Sequence, residues 1–77
     1  MDTVVYELID NVMTVTGYEG NYDTYVVAET VAGHTVKKIG DSAFEGNTDL
    51  VSITLPATIE VIGKRAFAGC TNLKNMN

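Results

Sequence analysis

Residues 36–54 of this chain can be laid on residues 59–77 with a shift of 23 and no gap, and no other feature constrains the fold as strongly. Seven of the nineteen paired positions are identical: Ile39/Ile62, Gly40/Gly63, Ala43/Ala66, Phe44/Phe67, Gly46/Gly69, Thr48/Thr71 and Leu50/Leu73. Ordinary amino-acid frequencies would give roughly one. The pairs Val36/Ile59, Ile53/Met76 and Asp49/Asn72 keep size or polarity. A unit this short cannot bury its own apolar side chains against the entropy of ordering its backbone, so successive units must stack and share one core.

The repeated pattern is Val/Ile-x-x-Ile-Gly-x-x-Ala-Phe-x-Gly-x-Thr-x-Leu-x-x-Ile. Leu50, Ile53 and Leu55 surround Ser52 and Thr54, which predicts a short half-buried strand that Pro56 stops. Ile39, Ala43 and Phe44 are spaced four and five apart, which predicts one turn of helix or 3-10 helix aiming apolar groups inward. Gly40 and Gly46 flank that turn, where a positive φ or a close backbone approach favours a residue without Cβ. Each repeat therefore reads as strand, corner, helical turn, corner.

Composition narrows the function classes. Of 77 residues, 45% are hydrophobic and 19% charged, the balance of a folded chain with a small core rather than a disordered one. The net charge of −5 is unevenly spread: Asp2, Glu7, Asp10, Glu19, Asp23 and Glu29 all precede the first cation, Lys37. No basic stripe exists to neutralise a phosphate backbone, so nucleic acid is not an expected partner. Membrane insertion is not expected either, since no stretch approaches eighteen apolar residues. The single cysteine excludes an intrachain disulfide. The first residues, Met-Asp-Thr-Val-Val-Tyr-Glu, have neither the positive nor the apolar region of a signal peptide.

The segment Val36-Lys-Lys-Ile-Gly-Asp-Ser-Ala-Phe-Glu-Gly-Asn-Thr-Asp-Leu-Val-Ser-Ile-Thr-Leu-Pro and its successor resemble the BspA-type (Treponema pallidum-type) leucine-rich repeat. The run Ile-Gly-x-x-Ala-Phe-x-Gly-Cys-Thr-x-Leu is complete at Ile62–Leu73, and Asn47 stands where that family usually has Cys. Tyr6–Tyr18 is similar to the hairpin that often opens such arrays, with Asp10-Asn11 at the turn and Met13 and Val15 alternating inward. Tyr25–Ala28 sits where the family places a strand, as a degenerate first turn.

The resemblance implies a right-handed α/β leucine-rich-repeat solenoid with short parallel strands, short helical or 3-10 turns, and an N-terminal β-hairpin cap. One domain is expected over 1–77, divided into a cap at 1–18, a degenerate turn at 19–35, a repeat at 36–58 and a truncated repeat at 59–77. It also implies an extracellular or cell-surface bacterial protein that binds other proteins or matrix, without catalytic residues or cofactors.

Other side chains that could carry chemistry have plainer explanations. His34 is the only histidine and follows Gly33 in an expected loop, with no second ligand at metal spacing. Cys70 reads as a small buried apolar group rather than a nucleophile. Glu19, Asn21 and Asp23 alternate in a turn but lack the order of a calcium loop. Gly17-Tyr18-Glu19-Gly20 has the spacing of a backbone clamp, yet reads as a turn after the hairpin. Tyr6, Tyr18, Tyr22 and Tyr25 divide between cap core and an aromatic patch.

Two function classes remain. In the first, neighbouring strands present Thr24, Val26, Ser52, Thr54 and Asn75 as an outward face that binds a protein partner. In the second, the chain is the structural cap of a longer array with no ligand of its own. The uncovered last turn also makes a homodimer through that end an expectation. An enzyme is the weakest reading, because the repeat places no pair of titratable groups at a shared cleft.

Overall fold

The computed structural model describes residues 3–76, which form eight strands. They are β1 (Thr3–Ile9), β2 (Val12–Glu19), β3 (Thr24–Val26), β4 (Thr30–Val31), β5 (His34–Ile39), β6 (Ser52–Thr54), β7 (Val61–Ile62) and β8 (Asn75–Met76). β1 and β2 are an antiparallel hairpin with Ile9 opposite Val12. Asp10 and Asn11 both have positive φ, 50° and 65°, which matches a two-residue turn whose twist suits the flanking strands. Met13 and Val15 point inward and are 6% and 0% exposed.

From this hairpin two parallel ladders run along the solenoid. One is β2-β5-β7, which carries Val15, Ile39 and Ile62 in one inward row. The other is β3-β6-β8, which aligns Tyr25, Ile53 and Met76. Between them the chain turns through residues 40–47, and again through 63–70, and these turns are hydrogen-bonded to each other. Ser42 N–H donates to Lys64 O at 2.9 Å, Phe44 N–H to Ala66 O at 2.8 Å and Gly46 N–H to Ala68 O at 2.7 Å. The corner is thus a third ladder made without strands, and every side of the coil joins its neighbour through backbone groups.

The interior is one cluster to which all coils contribute: Val15, Tyr25, Val36, Ile39, Phe44, Leu50 and Ile53 are fully buried. Rings are stacked along the axis. Phe44 lies between Tyr18, at 5.4 Å and 3° between planes, and Phe67, at 5.5 Å and 11°. Tyr25 meets both Phe44 and Tyr18 edge-on, an arrangement that favours the ring quadrupoles. Its hydroxyl sits 3.1 Å from the carbonyls of Glu19 and Gly20, so the polar tip of a buried ring is satisfied. The equivalence of Phe44 and Phe67 in the 23-residue alignment is therefore a physical contact.

Three sequence expectations are corrected. The expected helical turn at Ile39–Phe44 is absent, and no helix occurs among the described residues. Ile39 instead closes β5, and residues 40–47 form consecutive tight turns closed by Ala43 N–H to Gly40 O, Glu45 N–H to Ser42 O and Asn47 N–H to Phe44 O. Ser42 and Gly46 take positive φ, 59° and 78°, which a right-handed helix does not accommodate. Secondly, His34, expected in a loop, opens β5, and Ala32 and Gly33 form the turn that joins β4 to it. A register shift occurs there: Met13 pairs with Val36 but Thr14 with Lys38, so Lys37 is an extra residue in β5. The bulge brings Val36 and Ile39 to the same inward face although they are three apart, a spacing that imitates a helix. The Gly17–Gly20 expectation also changes: Gly17, Tyr18 and Glu19 continue β2, and the turn begins at Gly20.

The glycines divide into the two classes expected. Gly46 is left-handed with open space where a Cβ would lie. Gly63 is needed for approach: a Cβ there would fall 2.7 Å from Asp41 N and 2.8 Å from Gly40 C. The backbones of successive coils touch at this corner.

Phe44→Ala should cost about 3–5 kcal/mol. Phe67→Ala should cost less, because Phe67 is half-buried where Phe44 is fully buried. Paired urea titrations check both, and equal losses would remove Phe44 from the centre of the stack. Gly63→Ala should lower Tm more than Gly46→Ala, the first forcing two coils apart and the second incurring about 1–2 kcal/mol of left-handed strain.

Candidate functional site

The residues expected to form the outward face come together in the β3-β6-β8 ladder. Thr24, Ser52 and Asn75 are cross-strand neighbours in one row, and Val26 and Thr54 in the next. Strand spacing of about 4.8 Å makes the longer row roughly 10 Å across. Thr24, Val26, Thr54 and Asn75 are exposed and Ser52 is half-buried. The sheet orients them this way because Tyr25 and Ile53, which alternate with them, are fully buried. The face is short-chained and uncharged, with Val26 as its apolar point at 58% exposure.

A concave feature lies on the outer side of the other ladder. It is a groove of about 360 Å³ lined by Ile9, Asp10, Val12, Thr14, Thr16, Lys38, Gly40 and Asp41. Sequence reasoning did not find it, since it requires β5 beside β2. Its walls carry both signs of charge. Its hydroxyls are used within the fold, with Thr14 donating to Val12 O at 3.0 Å. Asp41 Oδ1 accepts from Lys64 N–H of the next coil at 2.9 Å.

The remaining candidates are dispersed. His34 is exposed at the start of β5, whereas Cys70 lies in the turn layer of the last coil and donates its thiol to Phe44 O at 3.1 Å. Partial burial holds the Cys70 thiol above the ordinary range, opposite to what a nucleophilic thiolate needs. Glu19, Asn21 and Asp23 are exposed, and no group of three or more metal-ligating side chains converges among the described residues. Tyr6, Tyr18 and Tyr25 pack into or against the core, while Tyr22 is 37% exposed with its ring edge-on to Tyr25.

Asn47, in the consensus Cys position, is buried; its Oδ1 accepts from Asp49 N–H and Leu50 N–H at 3.2 Å each. Its Nδ2 has no hydrogen-bond partner among the described residues. Among the described residues one ion pair links coils on the surface, where Arg65 Nε donates to Glu45 Oε2 at 2.8 Å. The hydrogen bond from Arg65, with a second from Ser42, holds the Glu45 carboxyl below its ordinary range. This contribution is present at neutral pH and is lost as pH falls through that lowered value.

The family described as the BspA type leucine rich repeat region (6 copies) matches residues 22–77. Among solved structures, a leucine rich repeat protein of T. pallidum is 30% identical with a TM-score of 0.90, over 96% of this chain and 36% of that one. One from Bacteroides ovatus is 26% identical with a TM-score of 0.85, over all of this chain and 22% of its own length. A leucine rich cell surface protein of Faecalibacterium prausnitzii is 33% identical with a TM-score of 0.81, over 100% and 23%. No curated protein matches the sequence. The chain spans little more than a third of the first of these structures and less than a quarter of the other two. With coils stacked as the repeat requires and the family matched over most of its length, the chain belongs to the BspA-type leucine-rich-repeat family.

Proposed function

We propose that the chain is a non-catalytic protein-binding module that engages its partner through the outward face of β3-β6-β8. The observation that carries this reading is the register. Thr24, Ser52 and Asn75 lie side by side, with Val26 and Thr54 beside them, on a scaffold whose alternate residues are locked in the core. Short polar side chains on a rigid sheet lose little entropy on binding, and an exposed valine supplies apolar area that no contact within the chain covers. A position at the bacterial cell surface fits this reading, and the description of the F. prausnitzii relative supports it. The coil is taken as right-handed, the sense that parallel crossover connections overwhelmingly adopt.

A second reading is that the chain serves as the hairpin cap and first coils of a larger array, whose binding surface lies on other coils. The small share of each solved relative that it spans favours this.

Ser52→Trp and Thr54→Trp should each weaken capture by any protein that binds the chain by about tenfold or more, near 1.4 kcal/mol. Circular dichroism and Tm should stay unchanged, and Lys37→Ala in the bulge of the other ladder should leave binding intact. Surface-plasmon measurements against a panel of bacterial surface and host matrix proteins provide the test. Binders indifferent to both tryptophans would exclude this face.

A further inference from the structure

We propose that the groove on the outer side of β2 and β5 receives an extended segment of a partner protein, one that carries a basic, an acidic and a basic side chain at alternate positions. The groove lies on a different side of the coil from the outward face of β3-β6-β8, so either can fail alone. Three observations carry the proposal.

The first is charge left without a partner. Asp10 at the hairpin turn, Lys38 on β5 and Asp41 at the corner all line the groove. No ion pair joins any of the three to another charged side chain among the described residues. Asp41 is held in place by Lys64 N–H at its Oδ1, which leaves its second carboxylate oxygen for a ligand.

The second is the spacing of those charges. Ile9 pairs with Val12 across the two-residue turn, so Asp10 stands at the level of Val12. Lys38 pairs with Thr14. Asp41 follows Gly40, whose N–H donates to Val15 O, and so stands near the level of Thr16. Negative, positive and negative charges therefore succeed one another along β2 at steps of about 7 Å, two residues of a strand. Side chains on one face of an extended chain recur at that same interval. The three levels span about 14 Å, which a segment of five extended residues covers and a single amino acid or monosaccharide does not.

The third is the shape of the walls. Thr14, 3% exposed, forms the floor, and its hydroxyl is already donated to Val12 O. Gly40 puts no side chain between Lys38 and Asp41, so the groove stays open to groups that reach down from above. Ile9, 45% exposed, and half-buried Val12 stand beside Asp10 and offer apolar contact to the alkyl stem of a basic side chain. Glu7 lies across from Thr14 on β1, on the same outer face. It is two strands and about 10 Å from Lys38, and it adds to the negative bias that favours two basic side chains over one.

Titration of the isotope-labelled 77-residue chain with capped synthetic peptides, followed by amide chemical shifts at about 0.15 M salt, is the test, because charges more than about 8 Å apart are largely screened there. The probes are Thr-Lys-Val-Asp-Val-Lys-Thr, its isomer Thr-Lys-Lys-Val-Val-Asp-Thr, and the all-basic Thr-Lys-Val-Lys-Val-Lys-Thr. The first should bind about tenfold more tightly than either of the others and shift the amides of residues 12–16 and 38–41. Lys38→Glu should reverse the order of the first and third peptides, a change of preference that a misfolded variant does not produce. Ser52→Trp should leave all three affinities unchanged. Equal binding of the isomer, shifts confined to β3-β6-β8, no binding of the first peptide at millimolar concentration, or a Lys38→Glu variant that keeps the original order would each overturn the proposal.

Discussion

The stack of Tyr18, Phe44 and Phe67 along the axis is the contact on which the rest of this small solenoid depends. Each ring comes from a different layer, so the stack fixes the vertical register of the coils. That register in turn brings Ser42, Phe44 and Gly46 into hydrogen-bonding range of the turn above. A slip of one residue would carry inward side chains to the solvent face and break the ladders on both sheets. A chain of 77 residues buries too little surface to survive such a loss, and its fully buried residues, Val15, Tyr25, Val36, Ile39, Phe44, Leu50 and Ile53, come from the hairpin and the middle coils rather than from one local segment.

The same register produces the candidate surface. Because Tyr25 and Ile53 are held at the core, their neighbours Thr24, Val26, Ser52 and Thr54 have no freedom to point elsewhere. Recognition by such a module comes from a rigid display of side chains, and the chemistry of the face can change without disturbing the coil. The thiol of Cys70 and the amide of Asn47 occupy equivalent places in successive turns and both serve the backbone, Cys70 by bonding Phe44 O and Asn47 by accepting two N–H groups of its own turn. The orphaned Nδ2 of Asn47 is the cost of putting a longer polar group where a thiol fits.

Edge strands are the general difficulty of an open solenoid. Here the hairpin shields one end of the core while presenting its own acidic edge, and the coil of β7 and β8 leaves apolar side chains half-covered beside basic ones.

The 23-residue periodicity, the hairpin at Asp10-Asn11, the inward positions of Ile39, Phe44, Leu50 and Ile53, and the outward row from Thr24 to Asn75 were legible in the sequence. Periodicity and turn chemistry are local properties that a linear pattern records. The second parallel ladder and the groove beside it were not legible, because the bulge at Lys37 places Val36 and Ile39 on one face at a spacing that looks helical. Whether residues 40–47 wind as a helix or as linked turns was likewise decided by the tertiary structure. The hydrogen bonds that hold Ser42, Phe44 and Gly46 run to residues 22 positions away, and no local preference of those residues anticipates partners so distant.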